Sequence, residues 1–223
     1  MKFEQQMNYY QQIYQHRWDD AELARVRKVW EVLTRRFFQR FISKDARVLD
    51  IGCGFCHFLN YLVAKEKVGV DANPLAKSYA ASDVTFIHSY DLSLSMLTQE
   101  YFDCVFLSNF LEHLESTKQA IELLNRVREL LRLGGRVIIL QPNFRLLGPA
   151  YFDFVDHKTI LTDKSLEEML NIAGFKIERK ILRFLPYTTK SKLPQSPFLV
   201  RLYLQLRPLW FIMGKQSLFL AVK

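Results

Sequence analysis

Arg47 to Phe58 reads RVLDIGCGFCHF, and how it is read decides the fold. The apolar run Val48 to Ile51 suits a short buried strand, and the apolar periodicity from Phe55 to Ala64 suits a helix. Two overlapping signatures lie at the junction. Cys53, Cys56 and His57 spell the C-x-x-C-H of a covalently attached haem, whereas Gly52 and Gly54 open a glycine-rich nucleotide loop. They assign different chemistry and different compartments to the same residues.

Outward from this stretch, KVGVDANP predicts a second strand that ends at Asp71 and is punctuated by Pro74. Val84 to His88 (VTFIH), Asp103 to Asn109 (DCVFLSN) and RVIILQP predict a third, fourth and fifth. An amphipathic helix, Thr117 to Leu133, precedes the fifth and is expected to stop at Gly134-Gly135. Strands alternating with helices at this spacing predict an α/β fold, a parallel sheet with helices on both faces. Thr162 to Ala173 then reads as a helix opened by Thr162 or Asp163 and closed by Gly174. FKIERKILRFL and SLFLAVK follow without an ordinary helical crossover, which predicts a final antiparallel pair. Residues 1–46 are helical by pattern and rich in Tyr, Arg and Gln. They are expected outside the sheet, as a helical lid or a solvated amphipathic pair, with 47–223 as the main domain and a basic, apolar cover segment over 184–215.

A strand followed at once by a glycine turn and a helix directs backbone N–H groups and a positive dipole end to the carboxyl edge of the sheet. Asp71 follows Gly52 by nineteen residues, at the end of the next strand, where a carboxylate can accept both ribose hydroxyls. A dinucleotide loop needs a third glycine at its sixth position, and His57 stands there, which disfavours NAD and FAD. Haem is disfavoured too. The amino terminus, MKFEQQMNYYQQIY, has no apolar run behind a basic start, so no export signal is expected, and no Met ligand segment is implied by spacing. No second Cys/His pair at ligand spacing completes a zinc site, so no metal is expected. Cys53 and Cys56 then read as loop and packing residues, and His57 as the first turn of a helix.

Through VLDIGCGFCHFL, VGVDANP, SYDLS, FDCVFLSNFLEHL, LLRLGGRVIIL and NIAGFKIER, the chain from about Arg47 to Lys223 resembles the class I S-adenosylmethionine-dependent methyltransferases. The resemblance implies a Rossmann-like, seven-stranded, mostly parallel sheet whose last strand, SLFLAVK, inserts antiparallel. It also implies S-adenosyl-L-methionine as the cofactor. Asp50 would support the loop, with Gly52, Cys53 and Gly54 beside the methionine portion. Asp71 and Ala72 would sit at the ribose, Asp91 and Leu92 at the adenine, and Ser108 with Asn109 near the sulfonium. One residue departs from the pattern. The family often carries a small residue, usually glycine, two places after Gly54, where this chain has Cys56, itself small and apolar enough to pack there.

The chain has 223 residues, 49% of them hydrophobic, enough for one substantial core. Its formal charge is +8, and the excess is carboxy-terminal: Phe175 to Lys223 holds ten Lys and Arg against a single acid, Glu178. Such an end suits an anionic partner or a solvated, solubilising face. Three cysteines are too few and too odd in number for a disulfide framework. The longest apolar tract, PFLVRLYLQLRPLWFIMG, is interrupted by Arg201 and Arg207, so no membrane-spanning helix is expected. As no export signal is expected, the cytoplasm is the expected compartment.

Methyl transfer from a sulfonium needs an acceptor held in line, and a base when that acceptor is a hydroxyl. His113 in FLEHL and the Asp156-His157 pair in DFVDHKT are the candidates, each histidine being a base or a structural or acceptor-positioning group. Glu112 and Asp153 read more readily as capping or solvated carboxylates. Tyr14 and Arg17 either close over the cofactor carboxylate or form an exposed helical pair. Strand four ends in SNFL rather than the Asn-Pro-Pro-aromatic turn of related amino-group methyltransferases, and Cys104 lies inside a strand rather than at a Pro-Cys turn. Nucleic acid is therefore a disfavoured acceptor. The tail RFLPYTTKSKLPQSPFLVRLYLQLRPLWFIMGKQ resembles those of bacterial methyltransferases of surface-polysaccharide and glycan assembly. It suits an anionic small-molecule or glycan acceptor, such as a saccharide, a sugar-phosphate or a lipid-linked precursor, with peripheral association at the inner membrane face. An RNA methyltransferase and a cofactor-binding scaffold without activity are the alternatives.

Overall fold

The computed structural model describes residues 12–13, 16–187 and 196–223. Tyr14 and part of the expected cover segment therefore lie outside the described residues. Seven strands form one sheet: β1 (Arg47–Ile51), β2 (Glu66–Asp71), β3 (Thr85–His88), β4 (Phe102–Ser108), β5 (Leu131–Pro142), β6 (Lys176–Leu185) and β7 (Gln216–Val222). Their order is β3-β2-β1-β4-β5-β7-β6. The pairs β1–β2, β1–β4, β2–β3 and β4–β5 are parallel, and β7 runs antiparallel to both β5 and β6.

The central strands read as unbroken apolar runs because both faces of the sheet are covered. Alternate residues serve opposite layers, as the two-residue strand period requires. Leu49, Ile51, Val105, Leu107, Val137 and Ile139 belong to one core cluster, and Val48, Cys104, Phe106, Ile138 and Leu140 to the other. The first face is covered by α3 (Thr117–Leu130) through Leu123, Leu124 and Val127, and by α4 (Asp163–Ile172) through Leu166, Met169 and Leu170. The second face is covered by α1 (Asp20–Arg36), α2 (His57–Tyr61), α5 (Pro197–Gln205) and α6 (Arg207–Met213), among them Leu33, Phe58, Tyr203 and Trp210. Phe37 and Phe38, which follow α1, are 2% and 0% exposed, so the end of the segment expected outside the sheet is core.

Side-chain caps start the helices. Asp19 accepts from the Glu22 N–H in a capping box, Ser116 accepts from Gln119 N–H, and Thr162 forms a capping box with Ser165. Two expected helices are shorter than their apolar periodicity. The helix expected to reach Leu133 stops at Leu130, because Leu131 already pairs with Phe102 and the chain turns at Gly134, φ +73°. The helix expected over Phe55–Ala64 cannot begin before His57, because Cys56 is left-handed at φ 54°, and it ends at Tyr61 as Leu62 becomes extended.

Candidate active site

The carboxyl ends of β1 and β4, with α1 and the carboxy-terminal helices, border a cleft of about 510 Å³. Asp50, Gly52, Cys53 and Gly54 line it from the first loop, and Ser108, Asn109, Glu112 and His113 from the segment after β4. His157 joins them from the loop after β5, and Arg17 and Trp18 from the segment before α1.

The glycine loop is tied down rather than left open. Gly52 and Cys53 donate their N–H groups to the Val70 carbonyl oxygen (2.8 and 3.2 Å), and Gly54 donates to Asp71 Oδ2 at 2.7 Å. The other oxygen, Asp71 Oδ1, accepts from Asn73 N–H at 2.7 Å. These N–H groups, expected free to face an anion, are already used, and α2 is only five residues long. Gly52, Cys53 and Gly54 therefore have no N–H left to donate to a pyrophosphate. Each Asp71 oxygen keeps a second lone pair for a neutral hydroxyl donor. Burial raises the Asp71 pKa, and the two N–H bonds pull the other way. Burial, together with Cys56 and Asp71, pushes Asp50 well up. Gly52 is left-handed at φ +73°, and a Cβ there would lie 2.1 Å from Phe110 Cδ2. Cys56, wholly buried, places Sγ 3.7 Å from Cys53 Sγ.

Asn109 is also left-handed, φ 49°, with its N–H on the Leu140 carbonyl oxygen at 2.9 Å and its Nδ2 donating to Ser108 Oγ at 3.2 Å. Ala72 accepts at its carbonyl from His88 Nε2 at 3.0 Å. Asp91 and Leu92 do not line the main cleft. With Tyr90 and Ser93 they border a separate hollow of about 410 Å³, where Asp91 accepts from Ser93 N–H at 2.8 Å.

The histidines meet, with a different pairing from the one expected. Asp156 serves His113 rather than its neighbour His157: His113 Nδ1 donates to the Asp156 carbonyl oxygen at 3.1 Å and lies 3.4 Å from Asp156 Oδ2. The reason is the turn that carries the two, in which His157 Nδ1 instead donates to the Tyr151 carbonyl oxygen at 2.7 Å. The imidazole rings are 5.0 Å apart between centroids. Arg17 donates from Nη2 to Asp156 Oδ1 at 2.5 Å and stacks over Phe154 at 4.7 Å. Burial would raise the Asp156 pKa, but Arg17 and His113 outweigh it and hold it down. Burial, aided by His113, lowers His157 to about 4, so its ring is neutral at neutral pH.

Glu112 is the residue that sequence reasoning undervalued. It is 0% exposed rather than solvated, with Oε2 accepting from Gln141 Nε2 at 2.9 Å and Oε1 lying 3.9 Å from His157 Nε2. Its one legible signal is its place beside His113 just after a buried strand. Asp153, by contrast, is exposed.

The methyltransferase-domain family matches residues 23–180. No curated protein matches the chain. Among solved structures, a SAM-dependent methyltransferase from Archaeoglobus fulgidus is 23% identical, with a TM-score of 0.62 over 88% of this chain and 94% of that one. An S-adenosylmethionine-dependent methyltransferase from Mesorhizobium loti is 18% identical, with a TM-score of 0.61 over 83% and 95%. A geranyl diphosphate C-methyltransferase from Streptomyces coelicolor, solved with Mg2+, geranyl diphosphate and S-adenosyl-L-homocysteine, is 11% identical, with a TM-score of 0.57 over 81% and 74%.

Proposed function

The chain belongs to the methyltransferase-domain family, and from that premise we propose that it transfers the methyl group of S-adenosylmethionine to a hydroxyl of a saccharide, sugar-phosphate or lipid-linked glycan precursor. The observation that carries the reading is the closed glycine loop, Gly52 to Gly54, hydrogen-bonded to Asp71 beside a cleft that also holds Ser108, Asn109, His113 and His157. A nucleoside without a phosphate chain suits this loop, because its described N–H groups are engaged and its carboxylate has lone pairs to spare.

In this reading Asp71 and Ala72 hold the ribose, and Gly52, Cys53 and Gly54 lie along the methionine portion with Asp50 behind them. Asp91 and Leu92 meet the adenine, and Ser108 and Asn109 border the sulfonium. When bound, S-adenosylmethionine supplies an electrophilic methyl group, whose transfer to an acceptor oxygen leaves S-adenosylhomocysteine and one proton. His113, His157 and Asp156 position the acceptor, and the neutral His157 ring offers its Nε2 lone pair to the hydroxyl proton. Arg17 closes the cleft from the amino-terminal side, and the segment before α1 acts as a lid.

The acceptor class is inferred from the other end of the cleft. Val200, Tyr203, Leu209 and Met213 of the carboxy-terminal helices make it apolar, which favours a lipid-linked acceptor over a free sugar. The outer faces of the same helices leave Phe198, Phe211 and Ile212 at least 70% exposed, alongside the cations Arg201 and Arg207. That combination suits peripheral contact with an anionic membrane. No described helix is long and apolar enough to cross one.

Calorimetric titration with S-adenosylhomocysteine, beside Asp71→Ala and an NAD control, tests the cofactor site. Binding by the wild type that Asp71→Ala loses supports the reading, and a folded wild type that binds NAD but not S-adenosylhomocysteine overturns it. Transfer of labelled methyl to lipid-linked saccharides, free sugar-phosphates and RNA then tests the acceptor. Incorporation into RNA alone would replace the glycan assignment.

A further inference from the structure

Three side chains able to ligate a metal, Glu112, His113 and His157, lie together in the cleft. Among the described residues, Glu112 Oε1 is fully buried and has no hydrogen-bond partner. A buried carboxylate oxygen left unpaired is costly, so something is expected to meet it. His157 Nδ1 faces the Tyr151 carbonyl, which only accepts, so that nitrogen carries the ring proton and Nε2 presents a lone pair. Nε2 stands 3.9 Å from Glu112 Oε1, too far for a hydrogen bond. Two donors each about 2.0–2.2 Å from one tetrahedral cation stand roughly 3.3–3.6 Å apart, so the pair closes by about 0.3–0.6 Å on binding. His113 is arranged in the same way: its Nδ1 donates to Asp156, which leaves Nε2 with the free lone pair. One donor atom from each of the three residues lies within 4.8 Å of the others.

The surrounding contacts resemble those that orient metal ligands. Each imidazole is held at Nδ1 by an oxygen acceptor, Tyr151 for one and Asp156 for the other. Asp156 is itself held by Arg17, and Glu112 is held through its second oxygen by Gln141. All three ligand residues line the cleft, so its open side faces the acceptor.

The geometry points to a binding site for one divalent first-row transition cation, held by Glu112, His113 and His157, with its remaining coordination positions open to the cleft. Two imidazoles and one carboxylate suit zinc, iron(II), cobalt or manganese better than calcium or magnesium. The deeper consequence rests on the methyltransferase reading. With the cation bound, the His157 Nε2 lone pair is a ligand and no longer the acceptor of the hydroxyl proton. An acceptor hydroxyl on the cation becomes more acidic, and its proton leaves to solvent as the oxygen takes the methyl group. These ligands carry no local spacing signature, because His113 and His157 come from loops 44 positions apart.

The test uses the full chain stripped of metal with a chelator and titrated with Co2+, followed by visible d–d absorption. Loss of the free Mn2+ resonance signal on protein addition and competition by Zn2+ complete it. One cation per chain is expected, with uptake abolished by Glu112→Gln and by His157→Gln. Asp156→Asn, which removes only the support of His113, is expected to weaken binding by about 10–100-fold. Circular dichroism confirms that each variant is folded, and if Glu112→Gln is not, His113→Gln replaces it. No uptake of Co2+, Mn2+ or Zn2+ by the folded wild type, or equal uptake by the ligand variants, overturns the inference. S-adenosylhomocysteine titrated into the same samples separates the two readings. Its binding without metal uptake sinks the cation site alone, and metal uptake without its binding sinks the cofactor reading alone.

Discussion

Replacing Gly52 with alanine asks whether the shape of the loop demands glycine. The backbone there has φ +73°, and an added Cβ would stand 2.1 Å from Phe110 Cδ2 and 2.8 Å from Cε2. A non-glycine residue in the left-handed region costs about 1–2 kcal/mol. Making room for a methyl group against a packed ring adds about 1–3 kcal/mol. The total, about 2–5 kcal/mol, lowers the melting temperature by roughly 4–20 °C for a chain of this length. Gly134 is a matched control, because it also has φ +73° and nothing lies within 4 Å of its Cβ position. Gly134→Ala therefore carries the backbone cost alone. Phe110→Ala is the second control: in that background Gly52→Ala should cost no more than Gly134→Ala. Thermal and urea denaturation followed by circular dichroism measures all the variants. Equal destabilisation by Gly52→Ala and Gly134→Ala with Phe110 in place would refute the steric argument.

Further outcomes can be checked by the same denaturation assay. Cys56 is buried but left-handed, so the usual order should invert: Cys56→Gly should be more stable than Cys56→Ala by about 1 kcal/mol, and the opposite order would show that φ 54° carries no cost. Partial burial would raise the Asp103 pKa, but the Arg47 N–H at 2.8 Å and the Arg132 and Arg47 guanidiniums hold it at about 2. A lowered carboxylate pKa stabilises the fold above the unfolded value and loses that contribution as pH falls through the folded one. The urea-midpoint gap between the wild type and Asp103→Asn should therefore be full at pH 7 and about half gone by pH 3, whereas a constant gap would contradict it. Thr162→Ala removes the hydroxyl that caps α4 and should cost about 1 kcal/mol, and an unchanged melting temperature would show the capping box to be dispensable.

The order of strands and helices was legible in the sequence because its signals are local. Val48 to Ile51, the turn at Gly52, the cap at Thr162 and the closing Gly174 act on neighbours a few residues away, and burial of both sheet faces turns strands into plain apolar runs. Gly52, Gly54 and Asp71 were legible as a group for the same reason, since a strand, a turn and the next strand bring them together. Helix ends were less legible. The apolar periodicity through Leu131 and Leu133 does not reveal that Leu131 is claimed by Phe102 across the sheet. The cluster at the far side of the cleft belonged to the tertiary structure alone. The sequence pairs Asp156 with its neighbour His157, yet the turn that carries them sends Asp156 to His113, 43 positions away, and His157 to the Tyr151 carbonyl. Which side chain meets which across two loops depends on the path of the backbone between them. Periodicity, capping and glycine placement do not encode that path, and the packing of β4 against β5 does.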